Sequence, residues 1–235
     1  MRLDIYLVNK NLAVSRNKAN DLIKSNMVKV NGIIINKASF NVDNCCVEIL
    51  KDNIFVSRAG DKLEAYIKNN DLIVANLDVL DIGSSKGGFT QVLLKYGARS
   101  VTCVDIGKDQ LDSKLRLNPK IKLFESCDIK NFNNTSLFDF VVCDVSFVSL
   151  AAILSCIYKL SKSEALLLFK PQFEVGKFAK RTKKGVVKDS CDIRNALNLF
   201  LNRLDMDGFI TLNIESSKVK GKEGNEEIFI HIKKK

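Results

Sequence analysis

Residues 81–90, DIGSSKGGFT, have the composition of a loop that holds a ligand. They follow the apolar run Leu77–Leu80 and lead into a helix-like run beginning at Gln91. Glycines between a buried strand and a helix allow a ligand to approach the backbone closely. A phosphate, a dinucleotide and an adenosyl methyl donor can all use such a loop, and a purely structural turn is the plain alternative.

The spacing within this loop argues against two of these ligands. Lys86 is not followed by Ser or Thr, so the phosphate-loop pattern G-x-x-x-x-G-K-[ST] is unmet. The glycines at 83, 87 and 88 do not form G-x-G-x-x-G, the pattern of dinucleotide sites. A methyl donor without phosphate groups and a structural glycine turn therefore remain.

Acidic residues at the ends of later strand-like runs favour the same ligand. Asp105 ends VTCVDIG about 20 residues after the loop, where an acid hydrogen-bonds the ribose of an adenosine ligand. Asp128 ends the next run and is a candidate acceptor for an adenine amino group. Asp144 ends the fourth run, VVCDVSF. This series of strand ends predicts S-adenosylmethionine (SAM) as the cofactor.

The residues after the fourth run indicate which kind of atom receives the methyl group. The sequence Asp144-Val145-Ser146-Phe147 lacks the paired prolines typical of adenine amino-group methylation, and neither proline of the chain precedes a cysteine nucleophile. Hydroxyl methylation instead needs help in removing a proton from a weak acid. A lysine whose pKa is lowered by burial can supply that help. Lys170, directly after the apolar run ALLLF, is the candidate, although a lysine that merely ends a strand is the alternative.

The elements that position these residues alternate between strands and helices, which predicts an α/β fold with an open parallel sheet. The expected strands are Val79–Asp81, Ser100–Asp105, Lys122–Phe124, Phe140–Asp144 and Ala165–Phe169, with Phe209–Ser216 and Glu227–Ile232 paired antiparallel at one edge. The expected helices are 61–70, Gly88–Tyr96, Lys108–Leu117, Leu150–Leu160 and Ile193–Leu204.

The first 50 residues read as a separate small unit. Two short helices are expected, the second with Ser15 as its N-cap, and small strands follow. Asn31-Gly32 is a strong signal for a tight turn between two of these strands. This order resembles the S4-type RNA-binding domain. The resemblance implies RNA contacts from the second helix and its surroundings, at Arg2, Arg16, Lys18, Lys24 and Lys29.

Bulk composition fits a nucleic-acid partner. Lys and Arg number 37 against 27 Asp and Glu, a formal net charge of +10, and an excess of this size favours a polyanion. The seven cysteines form no C-x-x-C pair and the chain has one histidine, so no metal is expected. The opening residues lack a signal peptide and the apolar runs are far too short for a membrane span. A cytoplasmic location is therefore expected.

Six motifs carry a resemblance across nearly the whole chain. In order they are VSRAGDKL, LDIGSSKGGFT, VDIGKDQL, CDVSFVSL, FKPQFEVG and GNEEIF. Together they resemble the TlyA family, often labelled haemolysin A, whose members join an S4-type domain to an RrmJ/FtsJ-like 2′-O-methyltransferase domain. The resemblance implies an S4-type domain over 1–50, a linker over 51–60 and a Rossmann-like class I SAM-dependent methyltransferase domain over 61–235.

The family places a Lys-Asp-Lys-Glu tetrad around the target hydroxyl, and by motif it falls on Lys62, Asp144, Lys170 and Glu227. Glu226 adjoins the last of these and is the competing assignment. Arg58, in the first motif, is a further candidate for RNA contact. The donor site is expected to include Asp81, Gly83, Ser84, Ser85, Gly87, Gly88, Phe89, Asp105, Ile106, Asp128 and Asp144. The chain departs from the family at Ser85-Lys86, where a threonine is common, and at Asp128-Ile129-Lys130, where Asn-x-Arg is common.

The function implied is methyl transfer from SAM to a cytidine 2′-hydroxyl in ribosomal RNA, as 23S RNA or a ribosomal subunit, with 16S RNA left open. Two alternatives are a membrane-active haemolysin and a non-catalytic RNA-binding factor in ribosome assembly.

Overall fold

The computed structural model describes residues 1–13, 15–50, 55–221 and 223–235. Contacts divide the chain into two compact units, Met1–Ile54 and Phe55–Lys235. The predicted linker, 51–60, falls partly on residues 51–54, which lie outside the described residues. Its last part, Arg58–Gly60, forms the first turn of a helix.

The first unit consists of two helices and a small antiparallel sheet. Its elements are α1 (Leu3–Asn9), α2 (Arg16–Lys24), β1 (Val28–Val30), β2 (Ile33–Ile34) and β3 (Val47–Ile49), with the strands in the order β2-β1-β3. Ser15 caps α2 as predicted, since its side chain accepts a hydrogen bond from Lys18 N at 3.3 Å. Asn31 and Gly32 have φ values of 49° and 80°, the pair of positive values that a type I′ hairpin turn requires.

The second unit is an open sheet covered by helices. Its strands are β4 (Asp78–Ile82), β5 (Ser100–Val104), β6 (Ile121–Phe124), β7 (Phe138–Cys143), β8 (Ser161–Phe169), β9 (Phe209–Ser216) and β10 (Ile228–Lys234). Its helices are α3 (Arg58–Asn70), α4 (Gly88–Lys95), α5 (Ser113–Arg116), α6 (Leu154–Leu160), α7 (Pro171–Glu174) and α8 (Ser190–Met206).

The strands lie in the order β6-β5-β4-β7-β8-β10-β9. The first five pair in parallel, whereas β10 pairs antiparallel with both β8 and β9. Successive strand residues point to opposite faces, so Leu80 belongs to one buried cluster and Val79 to another on the other face. The predicted open α/β sheet and the antiparallel pairing of the two late strands are confirmed.

Two sequence expectations need correction. The helix predicted over Lys108–Leu117 is confined to Ser113–Arg116, because Asp109 has a left-handed φ of 56° and the Asp112 side chain caps the helix by accepting from Lys114 N. The helix predicted over Leu150–Leu160 begins as a 3-10 turn, Leu150–Ile153, and becomes α6 only at Leu154. The short helix α7 was not predicted, although Pro171 at its first position favours a helix start.

Candidate active site

Gly83 brings the carboxyl ends of β4 and β7 together. Its φ is 80°, and a Cβ at this position would lie 2.8 Å from the Asp144 carbonyl oxygen. No L side chain fits such a contact, so only glycine permits the approach. Four residues on, Gly87 has a φ of 89° and forms the N-cap of α4. The glycine loop therefore allows the ends of β4 and β7 to lie close together, in addition to leaving its own backbone open to a ligand.

A cavity of about 610 Å³ opens beyond these strand ends. Six of the residues predicted for the donor site line it: Gly83, Ser85, Asp105, Ile106, Asp128 and Asp144. The other five predicted donor residues, Asp81, Ser84, Gly87, Gly88 and Phe89, are buried and are not among the described residues that line it. The structure thus brings together about half of the predicted set at the cavity surface.

Backbone N–H groups fix the acidic residues of the cavity wall. Asp105 accepts hydrogen bonds from Ser85 N and Gly107 N, both at 2.7 Å. Asp128 accepts from Lys130 N at 2.9 Å. Each carboxylate oxygen has a second lone pair, so both side chains are oriented and retain acceptor capacity toward the cavity.

Asp81 lies beneath the loop, fully buried. One carboxylate oxygen accepts from Thr90 Oγ1 at 2.6 Å, and the other has no hydrogen-bond partner among the described residues. Burial, with a smaller contribution from the Asp144 carboxylate, raises the pKa of Asp81 to about 7. This aspartate therefore takes up a proton near neutral pH.

Lys170 and Asp144 form an ion pair at the edge of the cavity. Lys170 Nζ lies 2.7 Å from Asp144 Oδ1, with both side chains largely buried. The same ammonium donates to Ser146 Oγ at 3.0 Å. Asp144 also lines the cavity, so this one carboxylate joins the cavity to the lysine.

Lys62 and Glu227 form a second ion pair, with a distance of 2.6 Å between Nζ and Oε2. Their side chains are 9% and 4% exposed. Glu226 instead points outward, where it pairs with Lys220 and is 68% exposed. The geometry therefore places Glu227, and not Glu226, next to Lys62.

The sheet register brings the two ion pairs to one edge. Ile228 of β10 pairs with Phe169 of β8 in an antiparallel ladder. Glu227 immediately precedes Ile228 and Lys170 immediately follows Phe169, so the ladder sets Glu227 and Lys170 opposite each other. Asp144, Lys170 and Glu227 thus lie at neighbouring strand ends, and Lys62 of α3 reaches the same edge through its pair with Glu227.

Phe147 is a candidate residue that the sequence reasoning missed. Its side chain is 91% exposed, it lines the cavity, and its φ is 66°. A bulky residue in the left-handed region is strained, and such strain often marks functional sites. Its ring centroid lies 5.1 Å from that of Phe173. The signal in the sequence was an aromatic residue three positions after Asp144.

Two predicted RNA-binding residues of the first unit also have a structural role. Arg2 and Arg16 each lie 2.9 Å from a carboxylate oxygen of Asp4, which is fully buried. The hydrogen bond from Arg2 is the largest of the effects that lower the pKa of Asp4 to about 2. Both arginine side chains remain at least half exposed, so they can still meet a partner.

The other predicted RNA-binding residues differ in exposure. Lys24 and Arg58 are exposed, whereas Lys18 and Lys29 are half-buried. Lys86 of the glycine loop is exposed, and its carbonyl accepts from Asp112 N at 3.3 Å. Within residues 1–13, 15–50, 55–221 and 223–235, no cluster of side chains suits a metal ion. The same part of the chain contains no helix with the length and apolarity of a membrane span.

The sheet order and the cavity at its switch point define a Rossmann-like methyltransferase, a class that binds its donor beyond the strand ends. A family model of FtsJ-like methyltransferases matches residues 55–234, and an S4 domain model matches residues 1–44. The chain belongs to the FtsJ-like methyltransferase family and carries an S4 domain, as its motifs predicted.

Relatives align with this chain over most of their length. A 23S rRNA (cytidine-2′-O)-methyltransferase, TlyA from Campylobacter jejuni, is 41% identical over 98% of each chain. Hemolysin A from Brachyspira hyodysenteriae is 37% identical over 98% of this chain and 99% of its own. A solved structure from Streptococcus thermophilus aligns with a TM-score of 0.74 at 30% identity, covering all of this chain and 88% of that one.

Proposed function

We propose that the protein transfers a methyl group from SAM to the ribose 2′-hydroxyl of a cytidine in ribosomal RNA. One observation carries the proposal: Asp144 both lines the cavity and pairs with Lys170 at 2.7 Å. SAM bound in the cavity and a ribose hydroxyl beside Lys170 would then lie on either side of the Asp144 carboxylate. The TlyA relative from Campylobacter jejuni, named for this reaction on 23S rRNA, supports the same substrate.

The cavity has the groups that an adenosyl methyl donor requires. Asp105 ends the second strand of the parallel sheet, where an acid accepts hydrogen bonds from ribose hydroxyls. Ile106, 76% exposed, presents an apolar surface beside it that suits the adenine ring. Asp128 would accept from the adenine amino group. Gly83 leaves the loop free of a side chain at the approach to Asp144. When bound, the donor supplies the methyl group on a positively charged sulfur.

The tetrad would handle the proton and the charge of the hydroxyl. As the new C–O bond forms and the C–S bond breaks, the 2′-oxygen must lose its proton. Lys170, in its neutral amine form, would accept that proton, and the Asp144 carboxylate at 2.7 Å would stabilise the ammonium that results. The ammonium of Lys62, fixed by Glu227 at 2.6 Å, would stabilise the negative charge that develops on the oxygen.

Phe147 would hold the target nucleotide at this site. An exposed aromatic ring beside the cavity offers a stacking surface for a base that has left its own stack. The strain of its backbone, with a φ of 66°, is consistent with a side chain held in place for contact. The S4 unit, with Lys24 and the arginines near Asp4, would bind surrounding RNA phosphates.

The test is methyl transfer from labelled SAM to ribosomal subunits from a strain that lacks the protein, followed by mapping of the labelled nucleotide. A 2′-O-methyl group blocks alkaline cleavage of the adjoining 3′ phosphodiester, so the expected product resists alkali at one cytidine. Cleavage at the labelled nucleotide would contradict 2′-O-methylation, and labelling of a base would indicate another reaction.

Two variants test the assigned roles. Lys170→Met is expected to abolish transfer while the affinity for SAM, measured by calorimetry, stays at the wild-type value. Phe147→Ala is expected to raise the KM for RNA by about 5- to 150-fold, since stacking contributes about 1 to 3 kcal/mol per base. A Lys170→Met variant that still transfers methyl groups would contradict the proton-transfer role.

A liposome-leakage assay with the wild-type protein tests the haemolysin alternative. No leakage is expected.

A further inference from the structure

The segment between α7 and α8 is strongly basic. Residues 177–188, KFAKRTKKGVVK, contain no acidic residue, and six of them are basic: Lys177, Lys180, Arg181, Lys183, Lys184 and Lys188. Thr182 N donates to Val186 O at 2.8 Å and Lys188 N donates to Lys180 O at 3.0 Å. Residues 180–188 therefore fold back as a tight turn, which we term the basic hairpin. Lys183 and Lys184 lie at its tip.

The arginine of the basic hairpin anchors it to the turn that follows the catalytic lysine. The Arg181 guanidinium donates to the carbonyls of Gly176 at 2.6 Å, Ala179 at 2.9 Å and Gln172 at 3.3 Å. Gln172 is two residues from Lys170. The one arginine of the segment is thus used for structure, and the position of the hairpin is tied to that of Lys170.

Asn225 ties the hairpin to the other side of the site. Its Oδ1 accepts from Val187 N at 3.2 Å and its Nδ2 donates to Gly185 O at 3.4 Å. The backbone carbonyl of Asn225 accepts from Gly221 N at 2.9 Å. A Cβ at Gly221 would lie 2.6 Å from Glu227 Oε1, so this loop packs directly on the catalytic carboxylate. The hairpin is therefore held against the site by two independent sets of hydrogen bonds.

The side chains of the hairpin lysines are not used to hold the fold together. Lys180, Lys183, Lys184 and Lys188 are exposed, and none has an acidic partner within 4.0 Å in the part of the chain that the structure describes. Some other exposed lysines of the unit do have one: Lys68 and Lys95 pair with Glu64, and Lys162 pairs with Asp139. A cluster of one sign, held rigidly beside an active site, attracts a polyanion.

We propose that the basic hairpin binds the phosphate backbone of the substrate RNA next to the target nucleotide. The inference rests on the proposed function, since it assumes an RNA substrate at the tetrad. Lysine contacts to phosphates are independent of sequence and position the RNA rather than read it. Because Arg181 and Asn225 fix the hairpin relative to Lys170 and Glu227, a phosphate bound there holds the ribose in register with the catalytic residues.

The test compares the full-length wild type with Lys183→Gln/Lys184→Gln. A matched control is Lys120→Gln/Lys122→Gln, which removes two exposed lysines at the amino end of β6, the opposite edge of the sheet. Affinity for protein-free ribosomal RNA and for intact subunits is measured over a range of salt concentrations, and SAM affinity is measured by calorimetry. The slope of log K against log[salt] is negative, and each lost phosphate contact reduces its magnitude by about 0.7 to 0.9.

The hairpin variant is expected to lower the magnitude of the slope by about 1.4 to 1.8, to raise the KM for RNA, and to leave SAM affinity within twofold of wild type. The control is expected to keep the wild-type slope. An unchanged slope in an enzyme that still methylates RNA overturns the hairpin proposal alone. Loss of affinity for intact subunits but not for free RNA also overturns it, since that result points to a protein contact. A wild type that neither binds nor methylates RNA refutes the proposed function itself.

Discussion

Lys62 and Glu227 are 165 positions apart in the chain, yet their charged groups lie 2.6 Å from each other in the interior. Each side chain is less than a tenth exposed. A buried pair of this kind is costly to break, because the remaining charge then has no partner. A set of variants separates a structural role of this pair from a catalytic one.

Glu227→Ala is expected to lower the free energy of unfolding by about 3 to 5 kcal/mol, the usual cost of leaving a buried charge unpaired. Glu227→Gln keeps a hydrogen-bond acceptor and should cost less, yet it should lower kcat by about 100-fold if Lys62 must be held for charge stabilisation. Lys62→Met/Glu227→Leu should recover stability without activity. Glu226→Gln, at the exposed neighbour, should change neither property. A kcat of Glu227→Gln near the wild-type value would show that the Lys62–Glu227 pair has only a structural role.

Gly83 and Gly32 form a matched pair, since both have a φ of 80°. A Cβ at Gly32 meets nothing within 4 Å, whereas one at Gly83 meets the Asp144 carbonyl at 2.8 Å. Gly32→Ala should cost about 1 kcal/mol of stability from backbone strain. Gly83→Ala should in addition displace Asp144 and weaken SAM binding at least tenfold. Calorimetric titration with SAM checks this, and equal affinity in both variants would exclude a role for the glycine in the donor site.

Asp81 should make stability depend on pH. Its pKa is raised to about 7 by burial, so between about pH 4 and 7 the folded state binds a proton that the unfolded state has released. The stability contributed by this group is therefore present below its unfolded pKa and is lost as pH rises through about 7. Asp81→Asn should remove this loss, so that the wild type becomes less stable relative to the variant as pH rises from 4 to 8. Asp71→Asn, at an exposed helix end, should follow the wild-type curve. Unfolding in urea at several pH values gives the comparison, and parallel curves for Asp81→Asn would contradict it.

Substitution of an arginine that pairs with Asp4 should lower both RNA affinity and stability, whereas substitution of Lys24 should lower RNA affinity alone. Arg16→Gln would remove a proposed RNA contact and does remove one partner of a buried carboxylate, so we expect weaker RNA binding and a stability loss of about 1 kcal/mol. Lys24→Gln should weaken RNA binding alone. The pKa of Asp4 is lowered to about 2, so its contribution is present above about pH 4 and is lost as pH falls through 2. The wild type and Arg16→Gln should accordingly converge in stability in that acid range. Equal stability at neutral pH would contradict the structural role of Arg16.

The parts of the site that the sequence predicted are those governed by local pattern. Asp105, Asp144 and Lys170 each follow an apolar run, and the length of that run determines where the strand ends. Parallel strands then bring their carboxyl ends to one edge of the sheet. The helix Ser190–Met206, which was predicted over Ile193–Leu204, and the turn at Gly32 are local features of the same kind.

The parts that escaped prediction depend on contacts between distant segments or on an unusual backbone conformation. The attachment of Arg16 to Asp4 requires two helices to pack, and nothing in either segment specifies it. The left-handed conformation of Phe147 violates its own preference. Asp109 interrupts a helix for the same reason. The basic hairpin was visible as a run of lysines, but only its anchors, Arg181 and Asn225, tie it to the site.

The order of the strands has a consequence for biosynthesis. Glu227 and β10 come late in the chain, but β10 inserts between β8 and β9. While a ribosome is still translating this region, β8 has an open edge and Lys62 has no carboxylate partner. The tetrad can therefore close only after residues up to β10 have left the exit tunnel.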